Sequence, residues 1–179
     1  MNDPTKIVLR PATALDAATI AIVMRAALGS FSWMPVIHTP DEDLAFIREI
    51  VLSRQQVTVA EAGTGIVGFI ALSGDWVEQL YLDPAWIGQG IGSRLLVQAT
   101  AALRIVKLHC FQGNTGARRF YERHGFRPEA FGAGTTNEEG LPDILYVRRL
   151  DIQPALSLAS WRNNSIASSA RSAGTNRWS

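Results

Sequence analysis

The spacing of hydrophobic residues in the first third of the chain predicts a strand followed by two helices. Residues 7–10 predict a short strand, and Thr13 with Asp16 three residues later forms the capping-box pattern of a helix start. The apolar positions of that helix are Leu15, Ile22 and Leu28. A second helix start combines Thr39 as the N-cap with a proline as the first helical residue and Glu42 as the third. The predicted buried stripe of this second helix consists of Leu44, Ile47 and Val51.

From residue 56 onward the period of the hydrophobic positions changes from about 3.6 to about 2, which is the period of a strand. Residues 56–63 and 65–74 predict a hairpin with a glycine-containing turn. Residues 75–84 predict a third strand, which ends at Pro84 because proline has no N–H for the ladder. A glycine-rich run then leads into a helix with an apolar face formed by Ile91, Leu95, Leu96, Ala99 and Leu103.

The remainder of the first 150 residues predicts a strand, a helix and two last strands. Residues 105–111 are the strand, and residues 114–125 are the helix, with Asn114 as its N-cap. Residues 126–131 and 141–150 are the last two strands. The predicted order is β-α-α-β-β-β-α-β-α-β-β, which indicates a mixed α/β fold built in layers.

The composition changes near residue 150, which predicts a domain over residues 1–150 and an extension over residues 151–179. The extension is rich in Ala, Ser and Asn and offers little apolar surface to offset the entropy of ordering it. Its candidate docking residues are Leu156, Leu158 and Trp161.

Composition and charge exclude several classes of function. The chain has 179 residues, 47% of them hydrophobic, and a formal net charge of +1, so neither a nucleic-acid partner nor a membrane surface is indicated. Cys110 is the only cysteine, which excludes an intramolecular disulfide and a cysteine-rich metal site. The histidines are dispersed without metal-ligand spacing, and we expect no metal. The chain has no signal-peptide pattern and no uncharged apolar run of about 18 residues, so we expect a cytoplasmic protein.

Gly88, Gly90 and Gly92 alternate between a predicted strand and a predicted helix. The first turn of a helix leaves N–H groups unpaired, and glycine lets a ligand approach them, so the run favours a phosphate site over a plain tight turn. A P-loop requires a lysine, which the run lacks. The dinucleotide fingerprint requires a glycine at position 93, which is a serine. The same spacing of three alternating glycines occurs in S-adenosylmethionine methyltransferases, which stay an alternative.

Two linked motifs carry a resemblance to a known family. Residues 80–96 (LYLDPAWIGQGIGSRLL) and 114–126 (NTGARRFYERHGF) resemble the GNAT (GCN5-related) N-acetyltransferases, which have Arg/Gln-x-x-Gly-x-Gly/Ala after their fourth strand and a helix from Asn to FYE-x-x-GF. The resemblance extends over about residues 6–150 and implies the GNAT fold, a central, mostly antiparallel sheet flanked by helices. Ile87 departs from the pattern, because it stands at the Arg/Gln position and cannot donate a hydrogen bond to phosphate.

The resemblance implies an acyltransferase, with acetyl-CoA as its co-substrate. Backbone N–H groups from Gln89 to Ser93 would hold the pyrophosphate, the end of the fourth strand would pair with the pantetheine arm, and Asn114 would contact that arm. Arg118 or Arg119 would reach an adenosine phosphate, unless both are solvated helix charges. The implied cofactor-binding residues are Leu80, Tyr81, Leu82, Gly88, Gln89, Gly90, Ile91, Gly92, Ser93, Asn114 and Arg118.

Glu78 is the candidate general base for acetyl transfer. An alkyl amine is mostly protonated at pH 7, so a base is useful. Strand alternation places Glu78 on the same face as Trp76 and Leu80, where apolar surroundings would raise its pKa. The position also matches a glutamate proposed as the base in some GNAT enzymes. A solvent-facing strand glutamate is the alternative.

Tyr121 is the candidate general acid. It lies seven residues after Asn114, which is about two helical turns, and within the FYE-x-x-GF match. A phenol is protonated at neutral pH and can donate to the leaving sulfur. A core tyrosine with a satisfied hydroxyl is the alternative. We expect direct transfer in a ternary complex, with Cys110 filling the interior of its strand rather than carrying the acyl group.

The acceptor site in this family is shaped by the first two helices with their loop and by the last strands. Trp33 and Met34 are candidates for the floor of a pocket with His38 at its rim, and Glu138 with Glu139 could attract a cationic amine. A buried aromatic and a solvated acidic turn are the alternatives. The expected acceptor is a small-molecule or peptide amine, and a homodimer is left open. A non-catalytic acyl-CoA-binding sensor is the second function considered, ahead of the methyltransferase.

Overall fold

The computed structural model describes residues 6–63 and 65–150. Seven strands lie in one sheet: β1 (Val8–Pro11), β2 (Gln56–Ala62), β3 (Gly65–Ser73), β4 (Trp76–Leu82), β5 (Ile105–Phe111), β6 (Arg127–Gly132) and β7 (Asp143–Arg149). Their order across the sheet is β1-β2-β3-β4-β5-β7-β6, and only the β4–β5 pair is parallel. The extension over residues 151–179, with its three candidate docking residues, lies outside the described residues, so the domain boundary at residue 150 stays a prediction.

The helices lie between the strands in the predicted order. They are α1 (Ala17–Gly29), α2 (Pro40–Phe46), α3 (Leu52–Arg54), α4 (Ile91–Ala99) and α5 (Thr115–Arg123), and a π-helical turn (Ile47–Val51) joins α2 to α3. The predicted start of α2 is confirmed: the Glu42 N–H donates to the Thr39 hydroxyl at 3.3 Å, and the Thr39 N–H donates to the Glu42 carboxylate at 2.7 Å. None of the described helices has the length and apolarity needed to cross a membrane. This mixed α/β sheet flanked by helices confirms the predicted fold class.

Two apolar clusters cover the two faces of the sheet. One cluster packs α4 and α5 on the sheet through Leu95, Leu96 and Tyr121, and we call this side the α4–α5 face. The other packs α1 and the π-helical turn on the opposite side through Ile20 and Ile47, and we call it the α1 face. Because side chains alternate along a strand, neighbouring residues of β2 and β3 contribute to different clusters.

The predicted apolar positions of the first helix are partly wrong. Leu15 and Ile22 are exposed, with 94% and 68% of their surface accessible, while Leu28 is half-buried. The buried face consists instead of Ala17, Ile20, Ala21, Val23, Met24 and Ala27. Small residues allow α1 to lie close to the sheet, and a search for large apolar residues does not find such a face. The helix at the glycine run is also shorter than predicted, because α4 ends at Ala99, before Leu103.

The sheet opens between β4 and β5. The two strands are paired only at Trp76 and Lys107. The pairing of β4 with β3 also contains a bulge, since Ala71 pairs with Gln79 and Leu72 with Val77, which leaves Glu78 without a partner on β3. A bulge adds one residue to a strand and thereby reverses the alternation of side chains beyond it. The gap beyond Trp76 lies next to the glycine run that follows β4.

Candidate functional site

The glycine run forms an uncapped helix N-terminus beside open space. Gly88 and Gly90 have positive φ angles of 84° and 77°, in the region where residues with a Cβ are strained. A Cβ at either position would have no other described heavy atom within 4 Å. Gly90 is the N-cap of α4 and supplies no side-chain cap. The two glycines therefore give the loop its shape and leave the start of the helix accessible.

The first three N–H groups of α4 are free to bind an anion. The Arg94 N–H donates to the Gly90 carbonyl at 3.1 Å, which is the first bond of the helical ladder. Among the described residues, the N–H groups of Ile91, Gly92 and Ser93 have no hydrogen-bond acceptor. Unpaired N–H groups and the positive end of the helix dipole favour a phosphate at this position.

Gly92 has a different role from the other two glycines. It is buried in the first turn of α4 and its φ is not positive. A Cβ at Gly92 would lie 3.4 Å from the Leu82 side chain and 3.6 Å from the Phe120 ring, which are ordinary packing distances. The regular alternation of the three glycines therefore combines two residues required by the loop conformation with one at a helix–strand contact.

The end of β4 presents a free backbone edge to the gap in the sheet. Leu80, Tyr81 and Leu82 pair on one side with Ile70, Phe69 and Gly68 of β3. On the other side β4 contacts β5 only at Trp76, so these three residues have no strand partner there among the described residues. An extended chain with amide groups could add to this edge as a further strand does. The edge leads directly to the glycine run.

Tyr121 projects from α5 into the cluster on the α4–α5 face. Its ring packs edge-on against Phe120 and Phe126, and it shares the cluster with Cys110. Burial raises the pKa of Tyr121 well above its usual value, and the nearby Cys110 and Tyr81 add to this effect. No hydrogen bond among the described residues involves its hydroxyl group. Tyr121 is thus a protonated phenol whose hydroxyl has no protein partner within the described part of the chain.

Asn114 and Arg118 at the start of α5 both have protein partners. The Asn114 side-chain oxygen accepts from the Ala117 N–H at 3.0 Å and caps the helix, which leaves its amide NH₂ group available. The Arg118 guanidinium donates to the Gln112 carbonyl at 3.3 Å and contacts the Tyr146 hydroxyl at 3.5 Å. Arg118 therefore contacts other residues of the protein. The sequence had suggested either an arginine that reaches an adenosine phosphate or a solvated helix charge.

The predicted environment of Glu78 is wrong. Glu78 is exposed, and the bulge at this residue places Val77 with Leu80 in the cluster on the α4–α5 face. Trp76 consequently points to the opposite face, where it stacks on His109. Glu78 is not enclosed by Trp76 and Leu80, and the alternative of a solvent-facing glutamate describes its position.

The candidate acceptor residues form two sets of contacts, one around Trp33 and one between His38 and Glu138. The Trp33 ring packs against Phe31 at 5.1 Å and edge-on against Phe111 of β5 at 6.0 Å. The exposed His38 and Glu138, which are 100 residues apart, are brought together with His38 Nε2 3.2 Å from Glu138 Oε2.

Glu139, next to Glu138 in the loop before β7, affects a residue of β4 through its charge. Burial and, to a lesser degree, the charge of Glu139 raise the pKa of Tyr81 to about 12. The negative charge of Glu139 therefore acts on Tyr81, a residue of the strand edge that leads to the glycine run.

A cavity next to this region contains a pair of residues that sequence analysis missed. It has a volume of about 250 Å³ and is lined by His109, Cys110, Phe111, Thr136, Asn137 and Asp143. His109 Nδ1 lies 3.3 Å from Asp143 Oδ2. The pair joins β5 to β7 across 34 positions of sequence, so no local motif reveals it. No cluster of three or more potential metal ligands occurs in residues 6–63 and 65–150.

Comparison with protein families and curated proteins identifies related sequences. A family model described as an acetyltransferase (GNAT) domain matches residues 53–128. The chain is 36% identical over 61 residues to the peptidyl-lysine N-acetyltransferase YjaB of Salmonella typhimurium. This matched segment covers 34% of this chain and 42% of the length of that protein. The chain is 31% identical over 117 residues to an uncharacterized N-acetyltransferase of Archaeoglobus fulgidus, which covers 55% of this chain and 80% of that protein.

Solved structures with the same fold include a protein in complex with acetyl-CoA. The apo form of YjaB from Escherichia coli superposes with a TM-score of 0.67 at 19% identity, covering 80% of this chain and 97% of that one. YncA from Salmonella typhimurium, a putative acetyltransferase solved with acetyl-CoA, superposes with a TM-score of 0.64 at 21% identity, covering 84% of this chain and 98% of that one. At these identities the superpositions establish a common fold.

Proposed function

The chain belongs to the GNAT acetyltransferase family, and on this premise we propose that it transfers the acetyl group of acetyl-CoA directly to a primary amine in a ternary complex. The family makes it an acyltransferase, and acetyl-CoA is its proposed co-substrate. The observation that carries the proposal is the uncapped N-terminus of α4, which lies at the open edge of β4. These two features together offer an anion site and a strand edge to one extended ligand.

The residues of the donor site fit the chemistry of acetyl-CoA. The N–H groups of Ile91, Gly92 and Ser93 would bind the diphosphate, and Gly88 and Gly90 leave no side chain in its path. Ile87 is exposed and offers no hydrogen bond, so the backbone alone would provide the donors at that position. The amide groups of the pantetheine arm would pair with the free edge of Leu80–Leu82.

Acetyl-CoA supplies a thioester whose carbonyl carbon the amine attacks. Tyr121 would donate a proton to the departing sulfur, and burial raises its pKa, so the phenol carries a proton at neutral pH. Burial also raises the pKa of the Cys110 thiol to about 11. A thiol that stays protonated at neutral pH is a poor nucleophile, which supports direct transfer over an acyl-cysteine route.

The acceptor is proposed to bind on the α1 face, between the aromatic residues around Trp33 and the acidic loop that carries Glu138 and Glu139. Negative charge there attracts an alkylammonium group. The Salmonella relative is named a peptidyl-lysine N-acetyltransferase, which makes a lysine side chain one candidate acceptor. Glu78, exposed at the bulge of β4, is one candidate for the base that takes up the proton of the amine.

Thiol release tests this function. Purified protein is mixed with acetyl-CoA and a panel of polyamines, amino acids, aminoglycosides and lysine-containing peptides, and free coenzyme A is measured together with the mass of the acetylated product. We expect release that depends on the amine. Tight binding of acetyl-CoA without turnover on any amine would instead identify a sensor. Binding of S-adenosylmethionine in place of acetyl-CoA would contradict both functions.

A further inference from the structure

A column of four side chains crosses the sheet on the α1 face beside the gap between β4 and β5. The Lys107 Nζ lies 5.5 Å from the centre of the Trp76 ring. The Trp76 ring stacks on His109 with a centroid distance of 5.4 Å and an interplanar angle of 7°. The His109 Nδ1 lies 3.3 Å from Asp143 Oδ2. The imidazole is thus held by a flat aromatic surface on one side and a carboxylate on the other.

The structure makes room for the Asp143 carboxylate inside the sheet. Asp143 is buried, with 11% of its side chain accessible, and it pairs with Gly132 of β6. A Cβ at Gly132 would overlap the Asp143 carboxylate. The Gln112 amide donates to the carbonyls of both Gly132 and Asp143, at 3.2 and 3.1 Å, and fixes the two strands there. The carboxylate consequently has a fixed position from which it can orient a ring.

The cavity beside this pair suits the end of an amine chain. Its volume of about 250 Å³ lies below the range of about 300–1,000 Å³ that is typical of pockets for whole ligands. Phe111, on which Trp33 packs, supplies an apolar wall, while Thr136, Asn137 and Asp143 supply polar atoms. An aminoalkyl group with a positive end matches this lining.

We propose that this cavity receives the amino group of the acceptor, that His109 accepts its proton, and that Asp143 is the positioning residue for His109. The inference rests on the proposed function and specifies the acceptor end of the same site. Cys110, the neighbour of His109 on β5, lies with Tyr121 in the cluster on the α4–α5 face. His109 and Tyr121 therefore flank the gap from opposite faces, as a base for the amine and an acid for the thiolate require.

The tautomer of His109 follows from its partner. With Nδ1–H directed to the Asp143 carboxylate, Nε2 keeps its lone pair, and 55% of the His109 side chain is accessible. The ammonium group transfers one proton to Nε2, and the neutral nitrogen forms the C–N bond as the C–S bond breaks. The thiolate receives a proton from Tyr121. The nitrogen loses a second proton, which restores Tyr121 through solvent, and His109 returns its proton to solvent.

The charged groups around His109 have partners of their own. Lys107, two positions before His109 on β5, pairs with Asp75 at 3.0 Å, and Glu129 on β6 pairs with Arg149. Glu138, on the loop that lines the cavity, pairs with His38. Asp143 is consequently the carboxylate in direct contact with His109 within the described part of the chain. Protonation of His109 would remove the lone pair that accepts the proton of the amine, so the profile of kcat/KM against pH should have a limb that depends on His109.

Profiles of kcat/KM against pH, measured on the amine that the wild-type protein accepts best, test the inference. We expect His109→Gln to lose about 10²–10⁴-fold in kcat/KM and to lose the limb of the wild-type pH profile that arises when the base is protonated. The Kd of acetyl-CoA should not change. Asp143→Asn should shift the limb and lower kcat more than KM. Imidazole should restore part of the activity of His109→Ala. The His124 ring packs on Phe120 of α5, away from the cavity lining, so His124→Gln is the matched control. It should keep the wild-type profile of kcat/KM against pH.

Three outcomes would overturn the inference. A limb that persists in His109→Gln would exclude His109 as the base. If the limb of the pH profile is lost in Glu78→Gln and kept in His109→Gln, the role of general base belongs to Glu78. If the wild-type protein shows no turnover on any amine, both the proposed function and this inference are overturned. If the wild-type protein shows turnover and either of the first two results is obtained, the inference alone is overturned.

Discussion

The same substitution at two neighbouring glycines should have opposite effects. At Gly90 a change to Ala places a Cβ on a residue with φ of 77°, and left-handed backbone costs a residue with a side chain about 1–2 kcal/mol. At Gly92 the same change adds a methyl group at ordinary packing distances from Leu82. Within a helix, alanine is favoured over glycine by about 0.5–1 kcal/mol. Gly90→Ala should therefore destabilise the protein, and Gly92→Ala should stabilise it slightly.

The effect on acetyl-CoA affinity separates the two variants further. The new Cβ at Gly90 projects into the open space before the helix N-terminus, while the Cβ at Gly92 faces Leu82 and Phe120 inside the fold. Loss of one hydrogen bond to a charged group costs about 1.5–3 kcal/mol, which is about tenfold to a hundredfold in Kd. We expect a loss of this size for Gly90→Ala, a larger one for Gly90→Val, and an unchanged Kd for Gly92→Ala.

Calorimetric titration with acetyl-CoA and urea unfolding of the three variants measure both effects. Wild-type affinity in Gly90→Val would refute the conclusion that the N-terminus of α4 binds the diphosphate. A loss of affinity in Gly92→Ala as large as in Gly90→Ala would mean that the first turn of α4 is sensitive to any added methyl group. In that case the orientation of the Cβ would have no bearing on binding.

Three further changes have defined outcomes. Tyr121→Phe should lower kcat roughly tenfold or more at an unchanged Kd for acetyl-CoA, because one proton donor is lost; an unchanged kcat in stopped-flow assays would remove Tyr121 from the chemistry. Gly132→Ala should lower the urea midpoint and the activity together, because its methyl group overlaps the Asp143 carboxylate. The Arg10 guanidinium holds the pKa of Asp16 well below its usual value, so their ion pair stabilises the fold above about pH 4 and is lost as the pH falls further. Asp16→Asn should accordingly lower the urea midpoint at pH 6 and lower it less at pH 2, and equal losses at both pH values would contradict this linkage.

Local signals in the sequence predicted the elements well because each acts over a few residues. Thr39 and Glu42 define the start of α2 through hydrogen bonds within one turn, and Gly90 marks the start of α4. The buried face of α1 was predicted less well, because it consists largely of alanines and the pattern of large residues pointed to Leu15 and Ile22.

The parts of the site that sequence analysis missed depend on contacts between distant segments. The position of Glu78 follows from the bulge in the β3–β4 register, which reverses the expected face of Trp76. The His109–Asp143 pair requires β5 and β7 to be neighbours, and the space for Asp143 depends on a glycine in a third strand. Periodicity along one strand cannot reveal such pairings, since it carries no information on which strands lie side by side.

A structure of the protein with acetyl-CoA bound most directly tests the proposed donor site. We expect the diphosphate oxygens within hydrogen-bonding distance of the N–H groups of Ile91, Gly92 and Ser93, and the pantetheine arm along Leu80–Leu82. The thioester should then lie in the gap between β4 and β5, within reach of the Tyr121 hydroxyl. A diphosphate bound away from the N-terminus of α4, or a thioester on the far side of β5 from Tyr121, would contradict the proposed site.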